Sequence, residues 1–304
     1  MSAGHVNHPH LLRGILSIMA AVFLFSSMDT LAKYMLSRQS YPMSPLLLAR
    51  YSVHLMFMLA LLAPRLGRRL ARTARPGLQV LRGMLLVGSS GFFYLSLRYL
   101  PMAEAAAISF VGPVLVAALS GPLLGERIGT RQWVAVLLGF AGVLVIVRPG
   151  GGVFSWHALF PLCSALFFAL YQLLTRQLAG RENPFTTLFF TALVGTALTS
   201  LPLPFTWQTP TLAQAAFMLG IGLLGGTGHF LLIRAVRQAS PAALAPFVYT
   251  QLVWSTLLAF LAFGEFPGSA SLLGMLVIAA AGLLAVDWLQ IRRALAAGDD
   301  QISR

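Results

Sequence analysis

Two pairs of ionisable residues lie four apart inside apolar stretches of the chain: Asp29 with Lys33, and Arg50 with His54. Four residues is just over one helical turn, so each pair shares a helix face. An ionisable side chain at bilayer depth costs about 2.5 to 3.5 kcal/mol on insertion scales and faces a partner or a cavity. A guanidinium there needs a carboxylate, carbonyls or an anionic ligand group, and its planar fork fits carboxylate and phosphate. Two roles for Asp29 stay open, an ion pair (with Lys33 or, across helices, with Arg50) and a place in a cavity. His54 and His229 titrate near physiological pH as free side chains, so protons are a candidate coupling ion. A plain hydrogen bond to a neighbour is the structural alternative.

Other polar and aromatic side chains extend the set. Phe247, Thr250 and Trp254 stand at i, i+3 and i+7 on one helix face, with Tyr249 and Gln251 beside them, and Tyr94, Ser109, Tyr171 and Gln172 add polar handles elsewhere. With Asp29, Arg50, His54 and His229 they are the substrate-binding candidates, since membrane-embedded pockets are mainly apolar with a few polar groups. Packing between helices is the competing reading for each aromatic. Pro113 and Pro246 lie inside apolar runs, where a missing N–H bends a helix, and they are the bend or gate candidates. Glu126 and Glu265 read as turn residues, and Glu104, just after Pro101, as a carboxylate at a positive helix start.

Several chemistries have no residues to carry them. The single cysteine, Cys163, excludes a disulfide framework and a cysteine-based zinc site. The tail histidines His5, His8 and His10 have no acidic or thiol companions, so no metal site is expected. There is no GxxxxGK[ST] phosphate loop. The reading is of a protein that is not an enzyme and uses no cofactor.

These residues must be positioned by membrane helices. Hydrophobic residues make up 58% of the chain and charged residues 10%, where soluble domains carry roughly a quarter charged. A crossing helix needs about 20 apolar residues. Such runs predict helices over 13–36, 45–63, 80–98, 102–123, 131–148, 156–178, 185–203, 211–234, 241–263 and 270–290. The basic residues alternate between loops of unequal charge. With a cytoplasmic N-terminus, sixteen of the 21 Lys and Arg fall on the inner side, among them Arg65, Arg68, Arg69, Arg72, Arg75 and Arg82. The remaining five are Lys33, Arg38, Arg50, Arg98 and Arg148. This asymmetry puts both termini in the cytoplasm. The net charge of +13 thus reports topology and contact with anionic lipid, not a nucleic-acid surface. Trp133, Trp156, Trp207 and Trp288 fall at helix ends, where interface anchors belong.

The chain also matches itself. The segment from Gly88 aligns with that from Gly225, pairing Gly91 with Gly228, Phe110 with Phe247 and, after a short slip, Glu126 with Glu265. Five helices per copy is an odd number, so the second copy enters the membrane from the opposite side. Inverted repeats place a substrate site near the midplane between halves. Gly222 and Gly226 form a small-xxx-small step for close helix approach.

The run PVLVAALSGPLLGERIGTRQWVAVLLGFAGVLVIVRPG, Pro113 to Gly150, resembles the EamA signature of the drug/metabolite transporter superfamily. AVFLFSSMDTLAKY, Ala21 to Tyr34, is similar to that family's first helix with its terminal Lys, and LLLAR, ending at Arg50, to its second. The second copy of the turn reads Gly264-Glu265-Phe266, without the Arg. The resemblance implies an all-α integral membrane protein of ten transmembrane helices in two inverted five-helix repeats. Residues 1–12 would be an N-terminal tail, 13–150 and 151–290 the repeats, and 291–304 a C-terminal tail. It further implies alternating-access transport of a small organic metabolite across the bacterial inner membrane, the family carrying amino acids, riboflavin, S-adenosylmethionine, nucleobases, sugar phosphates and drugs. A non-transporting scaffold and a membrane enzyme acting on lipid-linked substrates are the rivals.

Overall fold

The computed structural model of the chain describes residues 8–125, 129–147, 156–178, 182–238, 244 and 247–285. Glu126, Pro246, Trp288 and the tail 291–304 lie outside them. The described residues form helices and connections, with no strand among them. Helix α1, His8–Lys33, continues through a π-helical turn, Tyr34–Arg38. There follow α2, Met43–Leu66, and α3, Pro76–Leu97. Next come α4, Met102–Ser109, α5, Gly112–Leu124, and α6, Thr130–Val147. The second half runs through α7, Leu159–Leu178, α8, Pro184–Ser200, the short α9, Leu203–Thr206, and α10, Leu212–Gln238. It ends with α11, Thr250–Phe263, and α12, Ser269–Ala285.

Among the described residues six stretches are long and apolar enough to cross a bilayer, and four shorter apolar helices accompany them. Their outward faces carry large apolar side chains: Leu137, Phe140, Val253, Leu261 and Leu276 are each more than half exposed. A surface of that kind suits lipid rather than water. Trp133, Trp156 and Trp207 stand exposed at helix ends.

Proline and glycine set the local geometry. Pro76 and Pro184 open α3 and α8, where a proline loses no bond, and Asn183 caps α8 by accepting from the Phe185 N–H at 2.9 Å. The stretch expected as one helix over 102–123 is broken at Phe110–Val111, where Phe110 N–H donates back to Ala106 and Ala107. Pro113, two residues on, cannot supply the next backbone bond. Gly125 and Gly264 end α5 and α11 at φ of +70°, the left-handed conformation that glycine adopts without strain.

Packing repeats between the halves. Helix α1 lies against α10 and α11, while its counterpart α7 lies against α3, α4 and α5; α2 meets α8, and α6 meets α12. Exchanging the helices of one half for those of the other maps this set of contacts onto itself. Close approach depends on missing side chains. A Cβ on Gly222 would overlap Val53 and stand 2.8 Å from the Ala49 carbonyl of α2, and Gly226 lies against His54. Gly222→Ala is therefore expected to destabilise by roughly 1–3 kcal/mol, the usual cost of overpacking. Gly77→Ala, which meets open space, serves as the neutral control. Thermal unfolding in detergent compares the two.

One residue sits where local sequence did not put it, and a second makes a contact that local sequence did not show. Arg82, grouped above with the loop arginines, is buried two turns inside α3 because that helix starts at Pro76. Its guanidinium donates to Thr175 Oγ1 (2.7 Å), the Thr187 carbonyl (2.8 Å), Thr191 Oγ1 (2.6 Å) and Tyr171 Oη (2.8 Å), joining α3 to α7 and α8. Glu104 stands in the first turn of α4, the positive helix start expected for it. It accepts from Ser271 Oγ at 2.6 Å, tying α4 to α12.

Candidate functional site

Arg50 stands about 10 Å along α2 from its Met43 end, counting 1.5 Å per residue. Its guanidinium lies 5.8 Å from the ring centre of Tyr51 and 5.7 Å from that of Tyr94 on α3. The Tyr94 hydroxyl is near it but short of a hydrogen bond, and is buried without a partner. Asp29, buried on α1, feels the Arg50 charge without forming a direct ion pair among the described residues. One turn along α2, the His54 ring stacks on His229 of α10, with centroids 5.3 Å apart and planes within 7°. His54 Nε2 is buried and unpartnered. Phe25 of α1 meets the other side of His229 edge-on at 4.9 Å. Four helices, α1, α2 and α3 of the first half and α10 of the second, thus converge one acid, one guanidinium, two imidazoles and a phenol.

The helices that hold this group are fixed by polar bonds just outside it. Tyr51 Oη shares a hydrogen bond with Ser90 Oγ at 2.8 Å and donates to the Leu86 carbonyl at 3.2 Å. Ser26 Oγ shares one with Ser255 Oγ at 3.2 Å, holding α1 to α11. Tyr51 therefore braces the residue beside it. The glycines of α10 leave room for α2 to bring His54 in.

A cavity of about 150 Å³ begins at His54 and runs away from Arg50 between α2, α8 and α10, lined by Phe57, Met58, Leu62, Leu188 and Phe230. Its wall is apolar apart from the imidazole. A flat, partly apolar ligand could lie along it with a charged group turned toward Arg50.

The other sequence candidates fall into separate surroundings. Tyr171 is occupied by Arg82, whose guanidinium also covers its ring at 4.5 Å, and Gln172, the next residue, faces outward. Ser109 Oγ donates to the Pro161 carbonyl, joining α4 to α7. Phe247 packs with Ile18 and Leu244, and Thr250 Oγ1 donates to the Phe247 carbonyl. Gln251 accepts from Ser26 through its backbone carbonyl. Tyr249 leans on Phe110 at 5.5 Å with its hydroxyl buried and unpartnered. Trp254 meets Phe23 edge-on at 5.0 Å, and its Nε1–H also lacks a partner. Lys33 bonds Glu265, not Asp29. Among the described residues no group of three His, Cys, Asp or Glu is placed to hold a metal. Tyr51 and Phe25 were missed by sequence. Adjacency to Arg50 was the available signal for Tyr51.

The model of the EamA-like transporter family matches the chain twice, over residues 12–148 and 155–286. An S-adenosylmethionine uptake transporter of Rickettsia bellii is 31% identical over 72% of this chain and 76% of its own. A riboflavin transporter of Vibrio cholerae is 27% identical over 92% of this chain and 94% of its own. A crystal structure of a protein 20% identical superposes with a TM-score of 0.64, covering 94% of this chain and 98% of that one, which establishes a shared fold.

Proposed function

The chain belongs to the EamA-like transporter family, and from that footing we propose that it carries a small organic metabolite by alternating access between two inverted five-helix repeats, 13–150 and 151–290. In this reading ten helices cross the bacterial inner membrane and both termini are cytoplasmic. The six long spans, the four shorter apolar helices and the exchange symmetry of their packing support the arrangement, and the basic asymmetry of the loops supports the orientation.

The observation that carries the proposal is a set of unspent polar groups deep between the helices. Asp29, the Arg50 guanidinium, the Tyr94 hydroxyl and His54 Nε2 converge there, the last two buried without hydrogen-bond partners and the first two sensing each other's charge without a direct ion pair. Buried polar groups are ordinarily hydrogen-bonded, so a set that is not awaits a ligand. Arg50 would take a carboxylate or phosphate oxygen, Tyr94 and His54 would supply neutral hydrogen bonds, and the apolar cavity beyond His54 would receive a ring. The relatives named for S-adenosylmethionine and riboflavin bear on the choice of ligand: both compounds carry fused nitrogen heterocycles. Protons are the candidate coupling ion in this reading.

The test is a thermal-shift screen of detergent-purified protein against S-adenosylmethionine, riboflavin, amino acids and nucleobases, followed by uptake of the best ligand into proteoliposomes with and without an imposed pH gradient. A ligand at about 100 times its Kd adds roughly 2.7 kcal/mol to the folded state, a shift of several degrees. A hit whose uptake responds to the gradient is the expected result. No shift and no uptake for any compound would return the protein to the scaffold reading.

A further inference from the structure

In the orientation given above, the C-terminal end of α1, the α3–α4 joint and the α11–α12 turn meet at the outer face. Lys33 lies there, at the end of α1, buried to 3% exposure. Its ammonium donates to both carboxylate oxygens of Glu265, at 2.7 Å to Oε1 and closer to Oε2, and to the Leu100 carbonyl at 3.2 Å. Glu265 also accepts from the Met102 N–H at the start of α4, at 3.2 Å. The Phe263 ring lies 5.1 Å from the ammonium. Gly264, at φ +70°, ends α11 and turns the chain so that Glu265 reaches inward. Beside this group Ser271 holds Glu104. The charged contacts that close this end of the bundle across α1, α4 and the α11–α12 turn among the described residues run through these two acids and one ammonium, set in the apolar packing of Leu97, Leu100, Met102 and Phe263.

We propose that Lys33 and Glu265 form the latch of an outer gate, closed in this structure, whose opening releases the α11–α12 turn from α1 and α4 and exposes the interior below to the outer side. The inference rests on the transport reading. Lys33 is buried and the Glu265 side chain 33% exposed, and since desolvation offsets much of the attraction of such a pair, a seal meant to be permanent would be better built from apolar side chains. That near-balance suits a contact with two states. Both charges sit at helix ends, next to interfacial water, so when the pair separates each is rehydrated and the open arrangement costs little. Switching elements in proteins are bistable contacts of this kind. The asymmetry of the interior agrees. The cavity begins at His54, one turn beyond Arg50 on α2, and is lined by residues further from the latch, while the outer direction ends at the latch, with Thr30 one turn beneath it against Met102.

The experiment uses Thr30→Cys in a Cys163→Ser background, in intact cells, with a membrane-impermeant maleimide added outside. With the latch intact, labelling is slow. Glu265→Gln is expected to speed it by roughly tenfold, a tenfold move of the closed-to-open balance, with the thermal midpoint of the purified protein little changed. Reversing the pair with Lys33→Glu and Glu265→Lys together should restore slow labelling. If Glu265→Gln does not fold, Lys33→Met with Glu265→Met leaves no unpaired charge and must label as fast. Labelling that stays slow in folded variants overturns the latch, as does fast labelling with the latch intact. Labelling needs no substrate. A failed ligand search would therefore count against the transport reading alone, and flat labelling in a protein that transports would sink the latch alone.

Discussion

Arg50→Ala is expected to cut uptake by about two orders of magnitude while leaving the folded protein as stable as before. The first half of this expectation follows from what a guanidinium does for an anionic group in a water-poor site. Truncating one partner of a buried, hydrogen-bonded charge pair costs about 2–5 kcal/mol, and about 1.4 kcal/mol is a factor of ten. The second half follows from geometry. Arg50 lies over Tyr51 and Tyr94 but donates no hydrogen bond to a described residue, so its removal strands no protein acceptor. It also takes a buried charge out of a low-dielectric interior, which offsets the loss to Asp29 of the positive charge near it. Arg50→Lys keeps the charge and loses the fork, and should recover part of the uptake. Initial uptake rates in proteoliposomes, set beside thermal midpoints of the same preparations, decide the matter. If uptake and midpoint fall together, Arg50 is a structural residue and the site lies elsewhere.

The same comparison shows which parts of the molecule were legible in the sequence. Asp29, Arg50 and His54 stood out because charge inside an apolar stretch is expensive, and the structure gathers them with Tyr94 and His229. The helices were legible because each is one long apolar run bounded by proline, glycine or arginine. Rotation about the helix axis was not. A helix that is apolar nearly all round has no polar face to fix its phase, and so Tyr171 and Gln172, neighbours roughly 100° apart on α7, could not be told apart, although one faces Arg82 and the other faces out. Pairing across the fold was hidden too. Lys33 and Glu265 are 232 residues apart, and at i, i+4 Asp29 was the only partner that local spacing offered. For Arg82 the error was one of register. Starting the third helix four residues late left the arginine near a loop, and a start at Pro76 buries it.

Arg82 is for that reason the sharpest counterpart to Arg50. Its Nε and both terminal nitrogens are committed, to two threonine hydroxyls, a backbone carbonyl and the Tyr171 hydroxyl, across α3, α7 and α8. Arg82→Met should keep much of the volume and lose all of these bonds, leaving Tyr171 Oη short of a donor while Thr187 O keeps that from Thr191 Oγ1. Hydrogen bonds between membrane helices are worth about 0.6 kcal/mol each on average and up to about 1.7. Four of them, between that average and that maximum, come to about 2–7 kcal/mol, which brackets the ~3–5 kcal/mol usual for breaking a buried charged network. At roughly 2–4 °C per kcal/mol for a chain of somewhat smaller size, the midpoint should fall by roughly 6–20 °C. Uptake per folded molecule should hardly change, because a donor set already spent on the protein has nothing left for a ligand. Arg82→Lys reaches at most part of the network and should fall between. A variant that keeps its midpoint and loses its uptake would move Arg82 from the scaffold into the site, and the interior would then present two guanidinium groups to the substrate rather than one.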